Sequence, residues 1–286
     1  MTEQSSISPI LVAHWFREIC GELSNLLVSL RPDEWHLPTS SSRRNVKDIA
    51  SHLLDGSLRR LSMQRDGYFP PDQSCRMRSD ETLLDFLNRL NEEWENGTRR
   101  LSPRVLVELI PWADEQLAEL FQSLDPFGPA IFPVGWLGEE QSLNWMDVAR
   151  DYSEKWHHTQ QIFEATGRPR TITRRHLFHP CLDTFLQVLP FTFRDVQGDA
   201  GTAVAVTVTG EAGASWFVEH DGLHWRQVLK PTGKVRSIVI LDQITLWKLV
   251  TKRRSREATM AQFPDIKIEG DLELGSHVLD MAAMMG

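Results

Sequence analysis

Two histidines and a glutamate are the side chains here whose types and spacing offer chemistry. Glu154 and His158 stand four residues apart in Asp151-Tyr152-Ser153-Glu154-Lys155-Trp156-His157-His158, within a strongly helical context. Positions i and i+4 of an α-helix lie one turn apart and nearly on one line, so both side chains can close on a single ion. Far upstream, Asn45-Val46-Lys47-Asp48-Ile49-Ala50-Ser51-His52-Leu53-Leu54-Asp55-Gly56 carries His52 on a separate amphipathic helix. Together the three make a two-histidine, one-carboxylate set. Three protein ligands leave one coordination position open, as in a catalytic rather than a structural metal site.

Each of these residues also has an ordinary reading. Trp145, Ala149, Tyr152, Trp156, Thr159 and Phe163 form the apolar face of their helix. Glu154 and His158 fall beside it, in a row with Asp147 and Asp151, and such a row is usually a solvated polar face. His52 flanks the stripe Val46, Ile49, Ala50, Leu53 and Ser57, where a histidine is more often packed than ligating. His157 is an alternative to His158, although its spacing of three from Glu154 points it away from the favoured flank. Gly56 tips the balance toward a site. It lies one turn beyond His52, costs about 1 kcal/mol relative to alanine inside a helix, and opens space beside the imidazole. Arg59, one turn further on, is a candidate cation for an anionic ligand.

The elements that must position these residues are helices at first. Ser8-Pro9 opens a helix running from Ile10 to Leu30, and Arg31-Pro32 ends it. A second helix is expected from Asn45 to Arg65. A third is capped by Ser79-Asp80-Glu81-Thr82 and runs to Arg100. Ser102-Pro103 either breaks that helix or starts a new one to Leu124. A last helix spans Ser142 to Ala165 and stops at Gly167-Arg168-Pro169. Long amphipathic helices with short connections suggest an antiparallel four-helix bundle, a fold that commonly holds metals between facing helices.

Beyond residue 170 the pattern changes. After a helix from Arg175 to Leu189, alternation marks strands at Thr202–Gly210, Ala214–His220, Leu223–Leu229, Ser237–Ile240 and Ile266–Asp271, with a hairpin turn at Asp221-Gly222. Asp242 caps a helix to Val250. The fold class is therefore a helical bundle followed by a smaller α+β domain with a mostly antiparallel sheet.

Composition excludes several classes of function. At 41% hydrophobic and 24% charged residues the chain reads as a soluble globular protein, and no apolar run approaches the roughly 18 residues that span a bilayer. The start Met1-Thr2-Glu3-Gln4-Ser5-Ser6 shows no signal-type block, so a cytoplasmic location is the default expectation and no membrane partner is expected. A net charge of −8 argues against nucleic acid, and Lys252-Arg253-Arg254 reads as a solvated helix end. Cys20, Cys75 and Cys181 are too few and too scattered for a disulfide framework or a zinc cage. Ten tryptophans against two tyrosines suit a pocket lined by large flat side chains, although core packing accounts for most of them.

The segment Val46 to Ser62, through His52, Gly56 and Arg59, resembles the second helix of the mycothiol-dependent maleylpyruvate isomerase family, which is part of the DinB-like metal-binding four-helix bundles. Arg150 to His158 looks like the family's last bundle helix, and the resemblance covers residues 10 to 168. It implies His52, Glu154 and His158 as metal ligands. Leu241–Leu249 and Ile266–Leu274 are similar to a sterol-carrier-protein-like module. The implied organisation is a DinB-like domain over 8–170 and a sterol-carrier-like domain over 171–286.

The implied activity is a thiol-assisted cis–trans isomerisation of a small carboxylate-bearing alkene such as maleylpyruvate. The implied cofactors are a divalent metal, zinc by ligand type, and a low-molecular-weight thiol, mycothiol or an equivalent. The partners are then a small-molecule substrate and the thiol cosubstrate. Arg59 is the first candidate to hold a substrate carboxylate and Arg226 the second, with Trp136 as part of the pocket rim. The same ligand set also serves non-haem iron. A rival activity is transfer of a thiol to an electrophile or hydrolysis of a thiol conjugate. A non-catalytic protein binding lipid or another small ligand is a further alternative.

Overall fold

The computed structural model describes residues 8–41, 43–69, 83–134, 137, 141–252 and 254–282. Cys75, Trp136, Arg253 and the expected cap at 79–82 lie outside the described residues. The chain divides into two compact units. One is helical, over 11–132 and 143–172; the other spans 173–282 and takes in 8–10 and 133–142.

The helical unit contains α1 (Phe16–Val28), α2 (Val46–Arg60), α3 (Leu83–Thr98), α4 (Pro103–Ser123) and α5 (Asn144–Thr166). Local chemistry sets their ends. Asn45 starts α2 with a reciprocal cap: its side chain accepts from the Asp48 N–H at 3.0 Å, and its own N–H donates to Asp48 at 3.1 Å. Past Arg60 the helix widens into a single π-turn, Leu61–Arg65. Ser102 caps α4 and Pro103 occupies its first turn, so the Ser-Pro break makes a new helix. Gly167, at φ 64°, ends α5 in the left-handed conformation that favours glycine.

Helices α1 and α2 each pack against both α4 and α5, so α1, α4, α2 and α5 form a closed cycle. Their inward faces bury Phe16, Ile19, Leu23, Ile49, Ala50, Leu106, Ile110, Tyr152 and Trp156. Removing a Leu, Ile or Phe side chain of this kind from water contributes about 1.5–3 kcal/mol. Helix α3 stands outside the cycle, against α2.

The second unit is a mixture of helices and sheet: α6 (Arg175–Leu186), α7 (Leu189–Thr192), β1 (Thr202–Thr209), β2 (Ser215–His220), β3 (Trp225–Val228), β4 (Lys234–Asp242), α8 (Gln243–Val250), α9 (Arg256–Gln262), β5 (Lys267–Gly270) and α10 (Leu272–Ser276). Strand order is β3-β2-β1-β4-β5, with β1 and β4 parallel and the other pairs antiparallel. On one face of β1, Val204, Val206 and Val208 lie opposite Val218, Trp216, Ser237, Val239 and Leu241 of its neighbours, all buried. Asp221 organises the β2–β3 loop by accepting from the N–H groups of Leu223 and His224, both at 2.8 Å. Ser255 caps the short helix α9. Among the described residues, no helix is long and apolar enough to cross a membrane.

Candidate metal centre

Asp147, Asp151, Glu154 and His158 run along one line of α5. The row expected to face solvent is turned against α2 instead: Asp147 is fully buried and His158 is 4% exposed. Its first half is an ion lock. The buried Arg60 guanidinium of α2 grips Asp147 with two hydrogen bonds of 2.7 Å and Asp151 with two of 2.7 and 2.9 Å. The Phe121 and Phe132 rings lie 5.7 and 5.1 Å from its central carbon, and Arg150 adds a 2.6 Å bond to Asp147. Sequence reasoning missed Arg60. Its partners lie far along the chain, and nothing in the local pattern of α2 separates it from Arg59.

The second half of the row is the candidate site. His52 lies two turns before Arg60, about 12 Å along the helix axis, and there it meets Glu154 and His158. One ligand atom from each of the three lies within 4.8 Å of the others. His158 Nε2 is 3.2 Å from Glu154 Oε2, and the His52 and His158 rings meet edge to face at 4.8 Å. Tetrahedral coordination with bonds near 2.1 Å places ligand atoms about 3.4 Å apart, so small side-chain shifts close this set on one ion.

Two further observations fit a metal. His158 Nδ1 is 2.8 Å from the Gln161 amide oxygen, which can only accept. A proton on Nδ1 answers that oxygen, and Nε2, the nitrogen left to bind an ion, faces Glu154. Gln161 is itself tied to Ser40 at 3.1 Å, in the loop that Thr39 closes onto the Arg44 carbonyl at 2.7 Å. Buried metal-binding histidines are commonly oriented in this way by a second hydrogen bond. His52 Nδ1, in turn, is buried with no hydrogen-bond partner, a condition that calls for a ligand. Burial, reinforced by His158, Arg44 and Arg59, pushes the His52 pKa well down, so the imidazole is neutral and able to donate a lone pair.

Helix α3 builds a wall beside this cluster, and the sequence pattern gave no sign of that role. Asn91, Trp94, Glu95 and Thr98 share one face of it. Glu95 holds Arg44 at 2.6 Å, the Trp94 indole N–H donates to the Ser51 carbonyl at 2.9 Å, and Thr98 meets the Ser51 hydroxyl at 2.9 Å. Asn91 accepts from Arg59 at 3.0 Å. The candidate clamp Arg59 is thus already engaged, through Nη2, with Asn91 and with Asp55. Gly56 is exposed, and a Cβ there would meet nothing within 4 Å, so the space beside His52 is open. His157 is buried beside His158, with ring centroids 4.7 Å apart, but is not in the ligand cluster. Arg226 belongs to the sheet unit, where it pairs with Asp221. Trp136 lies outside the described residues.

No protein-family model and no curated protein matches this sequence. Two solved structures match the fold. One is the mycothiol-dependent maleylpyruvate isomerase in a histidine-to-alanine variant, with TM-score 0.53 and 10% identity over 91% of this chain and 92% of that one. The other is the mycothiol-dependent maleylpyruvate isomerase, with TM-score 0.50 and 9% identity over the same shares. The likeness spans both units. At this identity what it shows is a common fold.

Proposed function

We propose that this protein is a metal-dependent, thiol-assisted cis–trans isomerase of the maleylpyruvate isomerase type, acting on a small carboxylate-bearing alkene. The observation that carries the reading is the convergence of His52, Glu154 and His158 from two helices, in a chain that shares its fold with such an isomerase. In this reading residues 8–170 form an antiparallel, DinB-like four-helix bundle and 171–286 a sterol-carrier-like domain. A divalent ion held by His52, Glu154 and His158, zinc by ligand type, supplies the charge that keeps a low-molecular-weight thiol, mycothiol or an equivalent, as its thiolate.

The chain's own residues prepare that site. Burial keeps His52 neutral, and Gln161 holds His158 in the ligating tautomer. The open space at Gly56 leaves room for a ligand beside His52. Arg59 uses only Nη2 in its bonds to Asp55 and Asn91, so its other donors remain for a substrate carboxylate. Arg226 is a second candidate for that role and Trp136 a candidate for the pocket rim. The Cys20 thiol does not substitute for an added thiol: it is buried, and desolvation and Asp114 push its pKa well up.

In the reaction, the thiolate sulfur bonds to one alkene carbon while the π pair moves into the conjugated carbonyl. The resulting single bond rotates. The pair then returns, expelling the thiolate and leaving the trans alkene. The test is incubation of the protein with mycothiol and maleylpyruvate, followed by separation of the products. Trans isomer formed with thiol in catalytic amount supports the proposal. A stoichiometric thiol adduct would replace it with S-transfer.

A further inference from the structure

The sheet unit contains a second constellation that the proposed chemistry does not use. His179 and Asp183 are one turn apart on α6, with Gln187 a further turn along the same line. Facing them, Trp216 of β2 and Gln227 of β3 lie on the helix-covered side of the sheet, because Gln227 pairs with Val218, two residues from Trp216. Together these residues line a cleft of about 280 Å³ whose remaining walls include the apolar Pro9, Ile10, Val228 and Leu229.

The hydrogen bonds around the cleft leave acceptors over. His179 Nδ1 is 2.7 Å from the Ala212 carbonyl oxygen, so that nitrogen is the donor. The ring's Nε2 stands 3.6 Å from Asp183 Oδ2, beyond hydrogen-bond reach. The Trp216 indole N–H donates to the other carboxylate oxygen, Oδ1, at 2.8 Å. Gln227 is 92% buried, its exposure being 8%, and its Oε1 has no hydrogen-bond partner. A buried amide oxygen left in that state costs about 1–3 kcal/mol, so the orphan points to a missing donor. The nearby Arg175 donates through Nη1 to the carbonyls of Glu211 and Gly213 at 3.1 and 2.8 Å.

We propose that this cleft binds a small organic cation, a primary ammonium group carried on a short apolar chain. An ammonium offers donors and no acceptor, which answers Asp183 Oδ2 and the orphaned Gln227 Oε1. Its charge answers that of Asp183, and its chain answers the apolar walls. Burial pushes the Asp183 carboxyl pKa up, only partly offset by His179, Trp216 and Arg175. The site lies within the sheet unit, so it stands or falls independently of the metal reading.

The test is calorimetric titration of the full chain with n-butylammonium, n-butyrate and n-butanol, alongside ¹H–¹⁵N spectra in which Trp216→Phe identifies the Trp216 indole signal. Butylammonium should saturate in the millimolar range and shift that signal, and the other two probes should not. Asp183→Asn keeps an acceptor for Trp216 but removes the charge, and should weaken binding at least about tenfold, the scale of one charge-assisted hydrogen bond. Gln227→Leu should weaken it several-fold while retaining the native spectrum. The proposal is overturned if butylammonium fails to saturate or leaves the indole signal unmoved. Equal binding of butyrate or butanol overturns it too, as does unchanged affinity in both variants.

Discussion

Replacing Asp114 by alanine should destabilise the helical unit far more than the loss of one hydrogen bond. Lys155 of α5 donates to Asp114 of α4 at 2.6 Å, and Ser57 of α2 donates to the same oxygen at 2.7 Å. The two charged side chains are 5% and 1% exposed. Burial alone would lower the Lys155 pKa, but Asp114, with Cys20 and Asp151, more than reverses this and leaves it raised. The ammonium therefore stays charged inside the helix cycle.

Without Asp114 that charge keeps only a 3.3 Å contact to Ser57. Breaking a buried pair on one side costs about 3–5 kcal/mol, against about 1 kcal/mol for a neutral hydrogen bond. At about 2–4 °C per kcal/mol for a unit of this size, the melting temperature should fall by about 10 °C. The assay is thermal and urea unfolding followed by helical circular dichroism. The double variant Asp114→Leu with Lys155→Met should recover most of the loss, because an apolar replacement of a buried pair is often neutral. A loss below about 1 kcal/mol in Asp114→Ala, or a double variant as unstable as the single, would refute the reasoning.

Other outcomes follow from the same geometry. Gln161→Leu frees the His158 Nδ1 proton and should weaken metal affinity about 10–100-fold, read by chelator competition; an unchanged affinity would remove Gln161 from its orienting role. Gly56→Ala should stabilise the protein by up to about 1 kcal/mol, since a Cβ meets nothing there. Gly56→Leu should stabilise it nearly as much and lower kcat/KM, and full activity would mean that the open space is not used. Arg168, followed by the Arg31 N–H, lowers the Glu34 carboxyl from 4.5 to about 2. A depressed folded-state pKa adds stability that is fully present above the unfolded value and lost as pH falls through the folded one. Glu34→Gln should therefore flatten the fall in melting temperature between those two pH values, and identical slopes would contradict the assignment.

The sequence made the pairing of Glu154 with His158 legible because four-residue spacing is itself geometry: the two had to share a face wherever α5 docked. The side of α5 that docks was not legible. Asp147 and Asp151 look solvent-facing until Arg60 is known to lie against them, and that pairing joins residues on different helices, far apart in the chain. The wall formed by α3 was hidden for the same reason, since Asn91, Trp94, Glu95 and Thr98 on their own describe only a polar helix face. In the sheet unit, alternation located the strands from Thr202 to Gly270 well. It carried no information on which strands pair, so the parallel alignment of β1 with β4 emerged only from the structure.

The most direct measurement is elemental analysis of the purified full chain after zinc loading and dialysis, repeated with His52→Ala and His158→Ala. The expected result is one zinc per chain in the parent protein and its loss in both variants, with helical circular dichroism unchanged. Stoichiometric zinc retained by both variants, or none taken up by the parent, would contradict a metal centre at His52, Glu154 and His158.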